Sequence, residues 1–182
     1  MMTSETSFFR DIHPFDTFKD DLLGYMREAR GRNKKLRIWC AAASSGQEPY
    51  SLSMMLKEAE ENTPGWNYEI LATDISRDIL DQARSGLYTQ YEVQRGLPIR
   101  FLLKYFTQIE AQKWQINQDI KNNIKRLILI GHGLSVAFLK GQVCNVRMQF
   151  IAQRNGLRAE IHASDRGGLE IARNIRCAAT AT

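Results

Sequence analysis

The residues most able to do chemistry stand between Ile38 and Ser51. A short apolar strand, predicted over Leu36 to Cys40, is followed by small residues, then by Gly46, Glu48 and a proline. An amphipathic helix comes next, with apolar residues at helical spacing: Leu52, Met55, Leu56 and Ala59. Small side chains let a ligand approach the backbone, and a helix N-terminus points unpaired N–H groups at it. The pattern predicts a site for a nucleotide-type ligand.

Asp74 is the second candidate binding residue, because it ends a second predicted strand, Tyr68 to Thr73. An acid at this place in an α/β fold commonly binds the ribose hydroxyls of a nucleoside cofactor. The alternative is a turn or cap residue ahead of Ser76. Position alone leaves both interpretations of Asp74 open.

Glu48 also has two interpretations. The spacing from Ser45 to Glu48 matches a capping box, in which Ser45 would cap the helix. Pro49 argues against this, because it has no N–H to give to the Ser45 carbonyl. Proline favours the first helical position, so we expect the helix over Pro49 to Glu60, with Glu48 just before it. A carboxylate there could hold a cationic part of a ligand.

Several other elements are expected to position these residues. One helix ends near Gly31 and buries one apolar face: Phe15, Phe18, Leu22, Leu23 and Met26. A second helix is capped by Ser76 and ends at Gly86. Pro98 can open a short helix whose apolar residues face the core: Ile99, Leu102, Leu103 and Phe106. A small hairpin is expected after it, around Trp114 and Ile116. Alternating strands and helices predict a parallel sheet with its ligand at the carboxyl ends of the strands.

Composition narrows the class of protein. A chain of 182 residues fits one domain with a sizeable core, and it carries neither a membrane-spanning apolar run nor a signal-peptide pattern. Three widely spaced cysteines indicate reduced thiols in the cytoplasm and no metal site. The net charge of +5 lies entirely after residue 125, where eight basic and three acidic residues occur and Pro, Tyr and Trp are missing.

Six spaced segments together resemble one protein family. They are Thr3-Ser4-Glu5-Thr6-Ser7-Phe8-Phe9-Arg10-Asp11, Ala41-Ala42-Ala43-Ser44-Ser45-Gly46-Gln47-Glu48-Pro49-Tyr50-Ser51, Ala72-Thr73-Asp74-Ile75-Ser76, Ala83-Arg84-Ser85-Gly86-Leu87-Tyr88, Arg95-Gly96-Leu97-Pro98 and Leu103-Lys104-Tyr105-Phe106. In wording and order they resemble the chemotaxis receptor methyltransferases of the CheR type, over about residues 3–125. The resemblance implies a Rossmann-like class I S-adenosylmethionine-dependent methyltransferase fold, expected to be incomplete at its C-terminus.

The resemblance also implies a function and a set of site residues. The cofactor would be S-adenosylmethionine, bound by Thr6, Arg10, Glu48 and Asp74, with Arg10 also at the catalytic centre. A glutamate carboxylate of a methyl-accepting chemotaxis receptor would attack the cofactor's methyl group directly. A glutamate of ordinary pKa (about 4.3) is already ionised at neutral pH, so no general base is needed. The implied partners are the cytoplasmic portions of these receptors, without nucleic acid and without membrane insertion.

The resemblance ends near Lys125, where the composition changes. We therefore expect two parts, the N-terminal part of a methyltransferase domain over residues 1–125 and a divergent tail over 126–182. A reading-frame change or truncation in the gene is the favoured explanation of this tail, and a genuinely diverged tail is the less favoured alternative. Compared with the family, two segments are not found in the tail, a strand ending in Asn-Leu and a Cys-Arg-Asn-Val strand. From the resemblance we also expect the helical domain that precedes the family's linker to be absent. Activity is expected to be impaired. The alternatives are a non-catalytic cofactor-binding remnant and, less favoured, an arginine-rich nucleic-acid-binding protein.

Two stretches of the tail have strand character. Leu127 to Ile130 is apolar, and apolar residues alternate from Cys144 to Phe150 as in a half-buried strand. We expect that they do not complete a seven-stranded methyltransferase sheet.

Overall fold

The structure is a computed structural model of the chain. It describes residues 6–32, 34–129, 146–153, 156–164 and 170–176, and the side chains of 6–28, 31–32 and 34–124. No helix in these ranges is long and apolar enough to cross a membrane.

The main sheet of the described residues has six strands. In chain order they are β1 (Lys35–Ala41), β2 (Asn67–Asp74), β6 (Ile124–Leu129), β7 (Val146–Gln153), β8 (Gly156–Ser164) and β9 (Glu170–Arg176), and their spatial order is β6-β2-β1-β7-β8-β9. The four strands from β6 to β7 in this order are parallel, and β8 and β9 continue antiparallel. The α/β class predicted from the sequence is confirmed.

Seven α-helices lie within the described ranges. They are α1 (His13–Thr17), α2 (Leu23–Arg30), α3 (Gln47–Asn62), α4 (Arg77–Ser85), α5 (Gln90–Gln94), α6 (Ile99–Tyr105) and α7 (Gln118–Asn122), and a π-helical segment, Phe18–Leu22, joins α1 to α2. The apolar face predicted for the first helix is buried throughout. The caps predicted for α4 are also present, since Ser76 Oγ accepts from the Ile79 N–H and Gly86 is left-handed at φ 64°.

A second, three-stranded sheet has the order β3-β5-β4 and is antiparallel. Its strands are β3 (Leu87–Thr89), β4 (Phe106–Glu110) and β5 (Lys113–Ile116). The predicted hairpin around Trp114 and Ile116 is therefore confirmed as β4–β5. Strand β3 and the short helix α5 were not predicted from the sequence, although α5 begins with a complete capping box between Thr89 and Glu92.

The prediction for the inner face of α6 was half wrong. Leu102 and the following Phe106 are buried as expected, but Ile99 and Leu103 are 67% and 72% exposed. The buried face is instead formed by Phe101, Leu102 and Tyr105. Five of the seven residues of this helix are apolar or aromatic and only Arg100 and Lys104 are charged, so its residue types did not reveal which apolar residues pack against the core.

Both strands expected in the tail are present, with shifted bounds. The first corresponds to β6, and Ile130 lies outside the described residues. The second corresponds to β7, which begins at Val146, and Cys144 lies outside the described residues. Pairing of Ile38 to Cys40 with Val146 to Met148 places β7 directly beside β1. The backbone of the tail thus borders the strand that leads into the candidate site.

Candidate cofactor site

The candidate site is built on the loop between β1 and α3. Parallel pairing of β1 with β2 brings Ala41 opposite Thr73, so the carboxyl ends of the two strands lie side by side. The loop then turns sharply, with positive φ angles of 59° at Ala42 and 50° at Ser44. Such angles cost free energy in residues other than glycine and are concentrated at functional sites. Both the backbone conformation of the loop and its position at the carboxyl ends of the strands therefore make it a candidate binding element.

Asp74 holds this loop to the end of β2. Its Oδ2 accepts a hydrogen bond from the Ser44 N–H at 2.8 Å, and its Oδ1 accepts one from the Ser76 N–H at 3.0 Å. The Ala43 N–H also donates to the Thr73 carbonyl at 2.9 Å. The turn role considered for Asp74 is thus real. It leaves the ligand role open, because a carboxylate has about four acceptor positions and two are used.

Gly46 lets the loop enter the helix. It is the N-cap of α3 and adopts φ 98°, which favours glycine. A Cβ at Gly46 would lie 3.0 Å from the Tyr88 hydroxyl and 3.1 Å from both Ala83 and Tyr50. The Tyr88 hydroxyl donates to the Ser45 carbonyl at 2.8 Å, and the Tyr50 hydroxyl donates to the Ala83 carbonyl at 2.7 Å. Two buried tyrosines therefore fix the shape of this turn.

The predicted start of α3 was wrong by two residues. The helix begins at Gln47, so Glu48 is its second residue and lies inside the first turn rather than before the helix. Pro49 is tolerated as the third residue, because N–H groups in the first turn have no acceptor within the helix. The rejection of Ser45 as the helix cap is confirmed, since Gly46 occupies that position.

Glu48 is the most unusual polar residue of the site. The residue is only 7% exposed, and its Oε1 has no hydrogen-bond partner among the described residues. Burial raises the pKa of this carboxyl group to about 8, while a hydrogen bond from the Cys40 thiol opposes that increase. An unpartnered buried carboxyl oxygen is costly to the protein alone. A bound ligand with a cationic or hydrogen-donating group would satisfy it.

Thr6 and Arg10 flank a pair of anchored phenylalanines. The Phe9 N–H donates to Ser51 Oγ at 3.0 Å, and Ser51 Oγ donates to the Gln47 carbonyl at 2.7 Å. This links the segment to the first turns of α3. Thr6 and Arg10 themselves are partly buried.

Aromatic contacts secure the same segment from its other sides. The Phe8 ring lies 5.0 Å from that of Tyr88, and the Phe9 ring stacks on Phe101 at 5.2 Å. A Cβ at Gly96 would lie 2.1 Å from the Phe8 carbonyl oxygen, so only glycine fits there. The structure therefore fixes the backbone on which Arg10 stands, beside the loop that carries Glu48.

Three contributors to the site were not singled out by sequence reasoning. They are Tyr88, Ser51 and Cys40, and each is at most 1% exposed. All three lie within or directly beside the segments that carry the resemblance, and this position is the feature of the sequence that could have identified them. Among the residues with described side chains, no cluster of His, Cys, Asp and Glu could hold a metal ion.

Comparison with known proteins shows the family to which this chain is similar. A family model described as the CheR methyltransferase SAM-binding domain matches residues 4–127. The chain is 39% identical over 128 residues to chemotaxis protein methyltransferase 1 of Pseudomonas aeruginosa, covering 69% of this chain and 46% of that protein. It is 38% identical over 125 residues to a chemotaxis protein methyltransferase of Borreliella burgdorferi, covering 67% and 44%.

A third relative, chemotaxis protein methyltransferase 1 of Vibrio cholerae, is 38% identical over 130 residues, covering 70% of this chain and 45% of that protein. The matched part is thus under half the length of each of these curated relatives. Neither the cofactor-binding remnant nor the nucleic-acid-binding protein is supported by these matches. Since the family model covers most of the chain and includes every candidate site residue, the chain belongs to the CheR methyltransferase family, within its SAM-binding domain.

Proposed function

We propose that this chain transfers a methyl group from S-adenosylmethionine to glutamate side chains of methyl-accepting chemotaxis receptors in the cytoplasm. Membership of the family and the names of the relatives support methyl transfer in chemotaxis. The structural observation that carries the proposal is the buried Glu48 carboxyl group, whose Oε1 lacks a partner among the described residues, at the N-terminus of α3.

Four residues are proposed to hold the cofactor: Thr6, Arg10, Glu48 and Asp74. Asp74 stands at the carboxyl end of β2 with acceptor positions to spare for ribose hydroxyls. Glu48 offers a carboxyl group to the cationic part of the cofactor. The residues present therefore fit a ligand that combines a ribose with a positive charge, as S-adenosylmethionine does.

When bound, S-adenosylmethionine supplies an electrophilic methyl group. The protein's part is then to position the substrate and to exclude water, because a receptor glutamate is already ionised at neutral pH. Arg10 is proposed as the catalytic residue, since a guanidinium group can orient a carboxylate through paired hydrogen bonds. The Phe9–Ser51 hydrogen bond and the ring contacts of Phe8 keep the neighbouring backbone in place.

We also propose that the methyltransferase unit spans residues 1–125 and that 126–182 form a divergent tail. The family match supports this division, because it ends at residue 127. The net positive charge of the tail and its lack of Pro, Tyr and Trp support it as well.

The proposed function is tested by incubating the chain with methyl-labelled cofactor and receptor-containing membranes. Glutamate methyl esters release volatile labelled methanol in base, which distinguishes them from N-methyl products. We expect base-labile label in the receptor, formed slowly, and its loss in Arg10→Ala. Arg77→Ala, an exposed arginine on α4, is the matched control and should retain the activity. Label that resists base, or equal activity in Arg10→Ala and Arg77→Ala, would contradict the proposal.

A further inference from the structure

We propose that Cys40 is a positioning residue whose thiol holds the Glu48 carboxyl group in the cofactor site, and that binding of the cationic cofactor releases a proton from this carboxyl group to solvent. The inference rests on the proposed function, since the ligand is taken to be an S-adenosyl compound. It adds a proton-linked step to that function and assigns a role to a cysteine outside the proposed binding set.

The two side chains are both buried, one on the strand before the loop and the other on the helix after it. Cys40 is fully buried at the end of β1, and Glu48 is 7% exposed in the first turn of α3. The thiol donates a hydrogen bond to the carboxyl group, which favours the ionised form. The Glu48 Oε1 remains without a partner among the described residues. The carboxyl group thus has a partner in the Cys40 thiol, while its buried Oε1 is left unsatisfied by the described residues.

The other ionisable side chains near the loop form hydrogen bonds with backbone groups or lie on a neighbouring segment. Asp74 on β2 accepts from the Ser44 and Ser76 N–H groups, Tyr88 on β3 donates to the Ser45 carbonyl, and Tyr50 on α3 donates to the Ala83 carbonyl. Arg10 lies in the segment before α1. Burial has the larger influence on the pKa of Glu48 and raises it. The hydrogen bond from the Cys40 thiol has the smaller influence and lowers it.

A proton balance follows from this arrangement. With a pKa of about 8, the carboxyl group is largely protonated at pH 7. A ligand ammonium group pairs well with a carboxylate and poorly with a neutral acid, so the O–H bond breaks and the proton passes to the buffer. About 0.9 proton should leave per ligand at pH 7, and almost none at pH 9. Affinity should rise close to tenfold between pH 6 and pH 7 and level off above pH 8.

The first test follows the Glu48 carboxyl carbon by NMR in the full chain labelled at glutamate carboxyl carbons, with Glu48→Gln identifying the signal. We expect titration near pH 8, a higher midpoint in Cys40→Ala, and a return toward the wild-type midpoint in Cys40→Ser, which restores a donor. Titration near the ordinary value of a glutamate overturns the inference. So does an equal midpoint in Cys40→Ala and Cys40→Ser, because a purely structural role would not follow the donor.

The second test measures S-adenosylhomocysteine binding by calorimetry from pH 6 to 9, in buffers of different ionisation enthalpy. Proton release that disappears in Glu48→Gln supports the inference, and this measurement needs no cysteine variant to fold. Binding with equal affinity at every pH and no proton release overturns the inference while the proposed function stands. Absence of binding at every pH overturns the proposed function, and with it the cofactor-linked part of the inference, whatever the NMR titration shows.

Discussion

Asp74 has a structural role in the loop that is compatible with its proposed role in binding. Its two oxygens fix the β1–α3 loop and the start of the turn into α4, and acceptor capacity remains for a ligand. A carboxylate that is already held by backbone N–H groups is preorganised, so little conformational entropy is lost when a ribose binds. The structural role and the proposed binding role therefore reinforce each other.

Glu48 gives a prediction about stability at the residue scale. The unfolded carboxyl group loses its proton near pH 4.5, whereas the folded one keeps it until about pH 8. The unfolded state therefore binds fewer protons between these values, and the stability of the cofactor-free protein should fall as pH rises. Between pH 5 and pH 8 the loss due to this group is on the order of 3–4 kcal/mol.

Urea unfolding at several pH values checks this prediction through the Glu48→Gln variant, which removes the titration. The free energy of unfolding should then change much less between pH 5 and 8 than in the wild type. Glu28→Gln, on the exposed side of α2, is the matched control and should behave as the wild type does. Parallel pH profiles for wild type and Glu48→Gln would show that Glu48 is not buried as a neutral acid.

At the scale of elements, local patterns in the sequence predicted β1, β2 and the two caps of α4. The start of α3 was missed because a left-handed Gly46 lets the helix begin before the proline. Contacts that bind the site together were beyond local patterns. The Phe9–Ser51 and Tyr88–Ser45 hydrogen bonds join residues 42 and 43 positions apart, and neither helical nor strand periodicity encodes such pairings.

Among the candidate site residues, Asp74 and Glu48 had positional arguments in the sequence. Thr6 and Arg10 were chosen from the family resemblance alone. The structure places Phe8 and Phe9, which lie between them, against Tyr88 and the first turns of α3. The role of burial at Glu48 could not be read from its residue type, because desolvation depends on how β1, α3 and the loop pack together.

Gly46 gives a prediction at the element scale. Gly46→Ala places a Cβ 3.0 Å from the Tyr88 hydroxyl at φ 98°, so we expect the free energy of unfolding to fall by about 1–3 kcal/mol. Gly24→Ala is the matched control, since a Cβ at Gly24 within α2 would meet nothing within 4 Å, and it should stabilise the protein slightly. Equal stability of the two variants in urea would show that the turn does not require glycine.

At the scale of the whole molecule, the central question is whether residues 126–182 belong to the folded unit. The backbone of β7 pairs with β1, and β8 and β9 extend the sheet, leaving β9 at an edge among the described strands. An uncovered edge strand is a site for unwanted association, so we expect marginal stability and a tendency to aggregate. The family match, by contrast, ends at residue 127.

Limited trypsin digestion tests the proposed division, because the tail contains eight basic residues. We expect early cleavage between Lys125 and Arg176 and a persistent fragment of about residues 1–125. Mass spectrometry of the fragments gives the cleavage points, and the many Lys and Arg residues of the first part serve as the internal comparison. A tail as resistant as the first part, with cooperative unfolding of the whole chain, would show that it is an integral part of the fold.

The most direct test of the central claim is calorimetric titration of the full chain with S-adenosylhomocysteine at pH 8. We predict saturable binding at one site, weakened by about 1.5–3 kcal/mol in Asp74→Ala through loss of a hydrogen bond to a charged group. Asp78→Ala, an exposed acid in the first turn of α4, should bind as the wild type does. Unchanged affinity in Asp74→Ala, or no binding by the wild-type chain, would contradict the assignment of this loop as the cofactor site.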